Sequence, residues 1–236
     1  MNTKRILNFL TDISKNNNRQ WFLEHKAEYQ ICKDDFEDAV SKAIVAISTF
    51  DSEIAHLEPK DCCYRFNRDT RFSEDKSPYK RHFGAYICAH GKKSMRGGYY
   101  LHIQPGRCFI SVGTYWLPTN ILTSIRNEIM TNINDWREAV ENGKFVNLYG
   151  YANAGTMTDD DMTPKGFCIS SLKTCPKGFP KDYEFVEYLR MKDYATWRRV
   201  PDNFFEGDKW LDTIVENFKV AKPMLDFVNN VVDDYE

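Results

Sequence analysis

The sequence has 236 residues, of which 42% are apolar and 28% are charged. A chain of this length and composition can bury a substantial core, which excludes an intrinsically disordered protein. Its formal net charge of −2 argues against general electrostatic capture of nucleic acid, so any such affinity has to be local.

Targeting and redox signals favour the cytoplasm. No apolar run is long enough for a membrane span, and residues 1–12 lack the apolar core of a signal peptide. The seven cysteines are odd in number, Cys62 and Cys63 are adjacent, and no pair has C-x-x-C spacing. Because this spacing favours neither disulfides nor a zinc ribbon, we expect a cytoplasmic protein with reduced thiols, no membrane contact and no metal.

The first fifty residues have helical spacing. A short helix is predicted from Thr3, because apolar residues recur at steps of three and four. Residues 16–18 are all asparagine and end this helix, and Asn18 is placed to cap the next one. The apolar pattern then continues to about Phe50, which predicts one long helix or two nearly collinear helices.

Residues 64–82, which we call the basic loop, concentrate positive charge. They contain six Lys or Arg and three Asp or Glu, a local charge of +3 with histidine neutral. A strand is predicted on each side, over 62–67 and 82–88, and residues 73–78 have turn chemistry. Loops between strands often carry functional groups, so the pattern predicts an anion-binding site in this loop.

The side chains of the basic loop allow two interpretations. Arginine offers a fork of donors that matches phosphate or carboxylate and stays charged at any relevant pH. The residues predicted to bind the anion are Arg65, Arg68, Arg71, Lys76, Tyr79 and Lys80. In the alternative, Arg68 or Arg71 pairs with neighbouring carboxylates and only pins the loop, where each exposed pair contributes roughly 0–1 kcal/mol.

A hairpin over residues 97–114 is the clearest β signal, with Pro105 and Gly106 at its turn. Residues 100, 102 and 104 share one strand face, which makes His102 the best-placed histidine for acid–base chemistry; a purely structural histidine is the alternative. Asp69 is the other candidate for proton transfer. Its arginine neighbours favour the ionised form, which suits it better to orienting them.

The second half of the chain alternates helices with short strands. Pro118 opens a helix, a second short helix ends at Gly143, and residues 145–149 are predicted to form a strand. Aspartates 159–161 are predicted to form a solvated acidic turn, because the spacing of a calcium-binding EF-hand is absent. Residues 172–179 form a basic, turn-rich loop.

Three elements are predicted in the last third of the chain, and together with the earlier elements they indicate the fold class. A helix is expected over 183–189, a strand over 194–197 and a helix over 209–235 that Pro223 either kinks or divides. The fold class is α+β, a single domain over 1–236 with helices packed on an antiparallel, meander-like sheet. The strands expected to build most of this sheet are 62–67, 82–88, 99–104 and 108–114. Whether the sheet closes into a barrel is left open.

The order of residues in the basic loop resembles a family signature. The loop reads Arg65-x-x-Arg68-Asp69-x-Arg71-Phe72-x-x-Asp75-Lys76-x-x-Tyr79, which is similar to the pattern of the DUF2461 family of bacterial and fungal proteins. Residues 16–22, 98–103 and 172–179 are similar to further elements of that family. The resemblance covers nearly the whole chain and implies no activity, because the family is uncharacterised.

Three functions are compatible with these patterns. The first is a module that binds an anionic small molecule; nucleic acid is a weaker case, supported by interleaved basic and aromatic residues. The second is an enzyme acting on a phosphorylated small molecule, with arginines stabilising developing charge and His102 or Asp69 handling the proton. The third is a structural or interaction protein in which the basic loop only holds the fold together. No cofactor is predicted, and the oligomeric state is left open.

Overall fold

The N-terminal part of the chain is helical, as predicted. The computed structural model describes residues 1–158 and 161–236, so the predicted acidic turn at 159–161 lies largely outside the described residues. The helices of this part are α1 (Thr3–Lys15), α2 (Arg19–Glu24), α3 (Lys26–Ser48) and α4 (Pro59–Cys62), with a single 3-10 turn at Ser52–Ile54.

The break between α1 and α2 is set by asparagine. The Asn18 side chain accepts a hydrogen bond from the Trp21 backbone N–H at 3.0 Å, which satisfies one of the free donors at the start of α2. The predicted cap is therefore confirmed. One residue, His25, separates α2 from α3, so the sequence forms two helices rather than one long helix.

Within the described part of the chain, five antiparallel strands form one sheet. They are β1 (Phe83–Ile87), β2 (Gly98–Ile103), β3 (Phe109–Thr114), β4 (Lys165–Phe167) and β5 (Tyr194–Arg199). Their order is β1-β2-β3-β5-β4, so the first three strands form the predicted meander and β5 adds beside β3. In the outer pair, Lys165 lies opposite Arg198 and Phe167 opposite Thr196. The α+β fold class is confirmed.

The second half of the chain supplies the other helices. They are α5 (Thr119–Thr131), α6 (Ile133–Glu141), α7 (Gly143–Tyr149), α8 (Val186–Arg190) and α9 (Lys209–Val232), and a 3-10 turn at Asp233–Tyr235 follows α9. Pro223 lies inside α9, so it does not begin a new helix. No helix among the described residues is both long and apolar enough to cross a membrane.

Two of the predicted strands are wrong. Residues 145–149 belong to α7, because the Asn142 side chain caps that helix by accepting the Phe145 N–H at 3.0 Å; Gly143 therefore begins a helix instead of only ending one. Residues 62–67 form only isolated bridges, at Cys63 and at Asn67. The facing segment contains Pro78, which has no N–H to donate to a continuous ladder.

The chain divides into two compact units, each with its own aromatic core. The first unit comprises Met1–Ile87, Tyr100–Phe109 and Val200–Val215, and the second comprises Cys88–Tyr99, Ile110–Arg199 and Glu216–Glu236. In the first, Phe66 lies 5.9 Å from Phe9 between ring centroids. In the second, Trp136 packs edge-on against Tyr194 at 5.5 Å. The expectation of one domain over residues 1–236 stays a prediction beside this division.

Candidate functional site

Buried aromatic rings fix both ends of the basic loop. Phe66 and Tyr79 are 4% and 6% exposed, and the Tyr79 ring stacks on Phe22 at 4.1 Å. The Asn17 side chain accepts the Tyr79 N–H at 3.0 Å and donates to the Tyr79 carbonyl at 2.9 Å. Tyr79, a predicted ligand residue, is therefore an anchor of the loop in the core of the first unit.

Arg68 is held by the loop itself. Its Nη1 donates to Asp75 Oδ2 at 2.6 Å and to Ser77 Oγ at 2.8 Å, and its Nη2 donates to Ser73 Oγ at 3.2 Å. Asp75 also accepts from the Ser77 backbone N–H at 2.9 Å. These hydrogen bonds close the 73–78 turn. Arg68 therefore stabilises the conformation of the loop, as in the alternative interpretation.

Arg71 and Lys76 also have partners within the loop. Arg71 forms a two-pronged ion pair with Asp69, Nε to Oδ1 at 3.0 Å and Nη2 to Oδ2 at 2.6 Å. Lys76 Nζ donates to the Thr70 carbonyl at 3.0 Å. Both cations are exposed, and an exposed pair of this kind adds little to stability. Three of the predicted cations are thus engaged by the loop.

The Asp69–Arg71 pair gives a titration prediction. Hydrogen bonds from Arg71 lower the pKa of Asp69 to about 2. Because the folded pKa lies below the unfolded one, the pair contributes fully above about pH 4 and is lost as the pH falls through 2. NMR titration of Arg71→Gln should show the Asp69 pKa rising towards 3.8, its ordinary value. An unchanged pKa would mean that the Arg71 backbone N–H, which also bonds Asp69, dominates.

Arg65 and Lys80 differ from the other loop cations. Within residues 1–158 and 161–236, neither side chain forms an ion pair or a hydrogen bond with another residue. Lys80 is half-buried with its Nζ 5.0 Å from the centre of the Tyr64 ring. Burial lowers the pKa of Lys80, and the positive charge of Arg65 lowers it further. Two neighbouring cations therefore lie at the base of the loop without a described ion pair, although the charge of Arg65 helps to lower the pKa of Asp69.

Beside them, His102 lies at the centre of a hydrogen-bonded chain along one face of β2. Its Nε2 lies 3.0 Å from Gln104 Oε1, and its Nδ1 lies 3.0 Å from the Tyr100 hydroxyl. Because an amide oxygen only accepts, Nε2 carries the proton, and Nδ1 of the neutral ring accepts from Tyr100. The predicted shared face of these three residues is confirmed.

The surroundings of His102 keep its imidazole uncharged. Burial lowers the pKa of His102 well below its usual value. His82, whose ring is tilted by 30° at 4.4 Å between centroids, and the positive charges of Arg107 and Lys80 act in the same direction. The hydrogen bond with Gln104 opposes them only in part. Sequence reasoning singled out neither Arg107 nor Tyr100 as site residues, although Tyr100 was placed on the shared face.

A glycine makes room for Tyr100. A side chain added at Gly84 would place its Cβ 2.5 Å from the Tyr100 hydroxyl oxygen and 3.2 Å from its ring. A larger residue at position 84 of β1 would therefore push Tyr100 away from His102. The close approach of β1 to the Tyr100 ring therefore fixes the position of the Tyr100 hydroxyl, where the hydrogen-bonded chain begins.

The cationic site, which we define as Arg65, Lys80, His82, His102 and Arg107, is suited to binding an anion. The charge of Arg65 lowers the pKa of Lys80, and His82, Arg107 and Lys80 lower the pKa of His102, so a bound negative charge would relieve this repulsion. Among the described residues, no group of three or more His, Cys, Asp or Glu side chains is arranged to hold a metal ion. The site therefore combines positive charge with a neutral imidazole.

One comparison with known proteins gives a match. The family model DUF2461, described as a conserved hypothetical protein, matches residues 5–227 of the chain. Comparisons with curated proteins and with solved structures give no match. The matched range contains every residue of the cationic site.

Proposed function

This chain belongs to the DUF2461 family of conserved hypothetical proteins, and we propose that it binds an anionic ligand bearing phosphate or carboxylate. Arg65 and Lys80 would supply the charge at the base of the basic loop. The observation that supports the proposal is the half-buried Lys80, whose proton affinity is lowered by burial and by a second cation, with no described carboxylate beside it. Such an arrangement is costly in the empty protein and favourable with a bound anion.

The neighbouring rings suggest what the ligand carries besides its charge. Tyr64 is 39% exposed, and its ring lies under the Lys80 ammonium and 6.4 Å from the ring of Tyr100. A flat or apolar group next to the anionic group would stack on this exposed ring. A small molecule with one phosphate or carboxylate and a ring is the ligand class that fits these contacts.

Anion binding should be lost in variants of the base of the loop and kept in a variant of its tip. We expect Lys80→Met and Arg65→Ala to abolish most of the stabilisation by a ring-bearing anionic ligand, whereas Arg71→Ala keeps it because Asp69 already engages that guanidinium. Methionine retains the apolar stem that packs on Tyr64. In wild type, a ligand at 100 times its dissociation constant should add about 2.7 kcal/mol, a shift of a few degrees in Tm.

The measurement is a thermal-shift screen of inorganic phosphate, mononucleotides, sugar phosphates, carboxylates and short single-stranded nucleic acid, each at two salt concentrations. A steep salt dependence confined to the oligonucleotide would identify nucleic acid as the ligand. Loss of the response in Arg71→Ala but not in Lys80→Met would contradict the assignment to the base of the loop. No response in wild type would leave the basic loop with a structural role only.

Enzymatic turnover is the second proposal, and the hydrogen-bonded chain through His102 is the observation that favours it. A neutral imidazole with Tyr100 donating to Nδ1 can take up a proton only if a bound anion raises its pKa. A ligand found in the screen would then be converted to product in a wild-type assay. Binding without any product would leave the protein as a binding module.

A further inference from the structure

A buried arginine in the second unit lacks a compensating charge. Arg126, in α5, is 4% exposed, and its Nη2 donates to the Met191 carbonyl at 2.9 Å. Its Nε is buried and has no hydrogen-bond partner among the described residues. No described carboxylate forms an ion pair with it. Buried charges in proteins are normally paired, so this guanidinium requires an explanation.

Two further polar groups lie next to Arg126. Tyr194 is fully buried, and its hydroxyl has no hydrogen-bond partner within the described part of the chain. Tyr194 and the thiol of Cys175 both lie near enough to Arg126 to act on its pKa, which burial lowers. The carboxylate of Asp193 forms no described ion pair with Arg126; it accepts hydrogen bonds from the N–H groups of Ile169 and Ser170.

We propose that Arg126 and Tyr194 form a buried binding site for a small oxoanion, a phosphate, sulfate or carboxylate group. The arginine Nε–H and the tyrosine O–H are donors without acceptors, and an oxoanion offers several acceptor oxygens together with the missing negative charge. A water molecule would satisfy the donors but would leave the charge uncompensated. This site uses other residues than the cationic site and does not depend on it.

The loop over 172–179 lies near this site and carries further positive charge. Cys175, on that loop, is close enough to Arg126 to act on its pKa, and its thiol is held by the carbonyl groups of Phe179 and Pro180 at 3.6 and 3.5 Å. Lys173 and Lys177 on the same loop are exposed, and neither forms an ion pair with a described residue. Two lysines without described ion pairs on the loop that carries Cys175 would attract an anion to this part of the second unit.

The test uses inorganic phosphate and sulfate, with acetate as the carboxylate arm, and measures thermal shift and calorimetric binding of the full chain. The variants are Arg126→Met and Tyr194→Phe, each made in wild type and in a Lys80→Met background, where the cationic site is removed. In that background we expect phosphate still to stabilise the chain, Tyr194→Phe to weaken its affinity about tenfold, and Arg126→Met to abolish the response.

The anion-free proteins supply a second readout. Tyr194→Phe removes a buried donor that lacks a partner and should leave Tm unchanged. Arg126→Met removes an uncompensated buried charge together with one hydrogen bond to the Met191 carbonyl, so its Tm should not fall by more than the loss of that single bond. A phosphate response unchanged by Arg126→Met would overturn the proposal, as would no response in the Lys80→Met background. A large fall in the Tm of anion-free Arg126→Met would also overturn it, because the guanidinium would then be satisfied within the protein. If the cationic site binds no anion, all of these measurements still test the site at Arg126 and Tyr194.

Discussion

Asp193→Ala is expected to lower the free energy of unfolding by about 3–5 kcal/mol. The Asp193 side chain is 1% exposed and accepts hydrogen bonds from the Ile169 N–H at 2.8 Å, the Ser170 N–H at 2.9 Å and the Ser170 hydroxyl at 3.1 Å. Alanine would leave all three donors without an acceptor. The loss is to be measured by urea unfolding, with the m-value checked for a change in the unfolded state.

Two variants separate the hydrogen bonds from the substitution itself. Ser170→Ala removes only the hydroxyl donor and should cost about 1 kcal/mol. Asp182→Ala replaces an exposed aspartate without described contacts and should stay within about 0.5 kcal/mol of wild type. If Asp193→Ala were no worse than Asp182→Ala, the segment that leads into β5 would be held by its packing alone. The position of Tyr194 would then not depend on its neighbour.

The helices were predictable because their signals are local. The three- and four-residue spacing of α1 and the cap at Asn18 involve residues a few positions apart, and both are as expected. The wrong strand prediction at 145–149 also depends on a local signal, which lies just outside the segment. Phe145 and Tyr149 suit an alternating strand or a helix face equally, and the deciding cap at Asn142 lies just before the segment.

The charge pattern located the basic loop, but it did not show which of its charged side chains pair with one another. Arg71 and Arg65 are the same residue type in the same loop, yet Arg71 forms hydrogen bonds with Asp69 whereas Arg65 forms no described hydrogen bond or ion pair. That difference depends on which side chains the folded loop brings together, which spacing does not encode. The pairing of Lys80 with Tyr64, sixteen positions apart, is of the same kind.

Arg126, by contrast, left a signal in the sequence. Leu122, Ile125 and Ile129 form the apolar stripe of α5, and Arg126 falls on the same stripe at the i+4 position from Leu122. A charged residue on a core-facing stripe is a conflict between local pattern and burial, and such conflicts mark functional sites. A search for charges on apolar faces would have found this residue without coordinates.

Gly113→Ala is expected to lower the free energy of unfolding by about 2–5 kcal/mol, from backbone strain of about 1–2 kcal/mol together with overpacking of about 1–3 kcal/mol. Gly113 has a φ of +135°, a conformation that side chains rarely adopt. A Cβ there would overlap the Tyr194 carbonyl oxygen and lie 2.6 Å from the Ala195 Cα. These are backbone atoms of β5 and cannot rotate away, so the strand itself would have to move.

Gly91→Ala is the matched control, because Gly91 has a φ of +81° and nothing within 4 Å of an added Cβ. Gly91→Ala introduces backbone strain but no steric overlap, so it should lower the free energy of unfolding by about 1 kcal/mol. Urea unfolding of both variants therefore separates backbone strain from the close approach of β3 and β5. Equal losses would show that β5 yields easily at Tyr194. The Tyr194 hydroxyl would then not be held rigidly against Arg126, and anion binding there should tolerate Gly113→Ala.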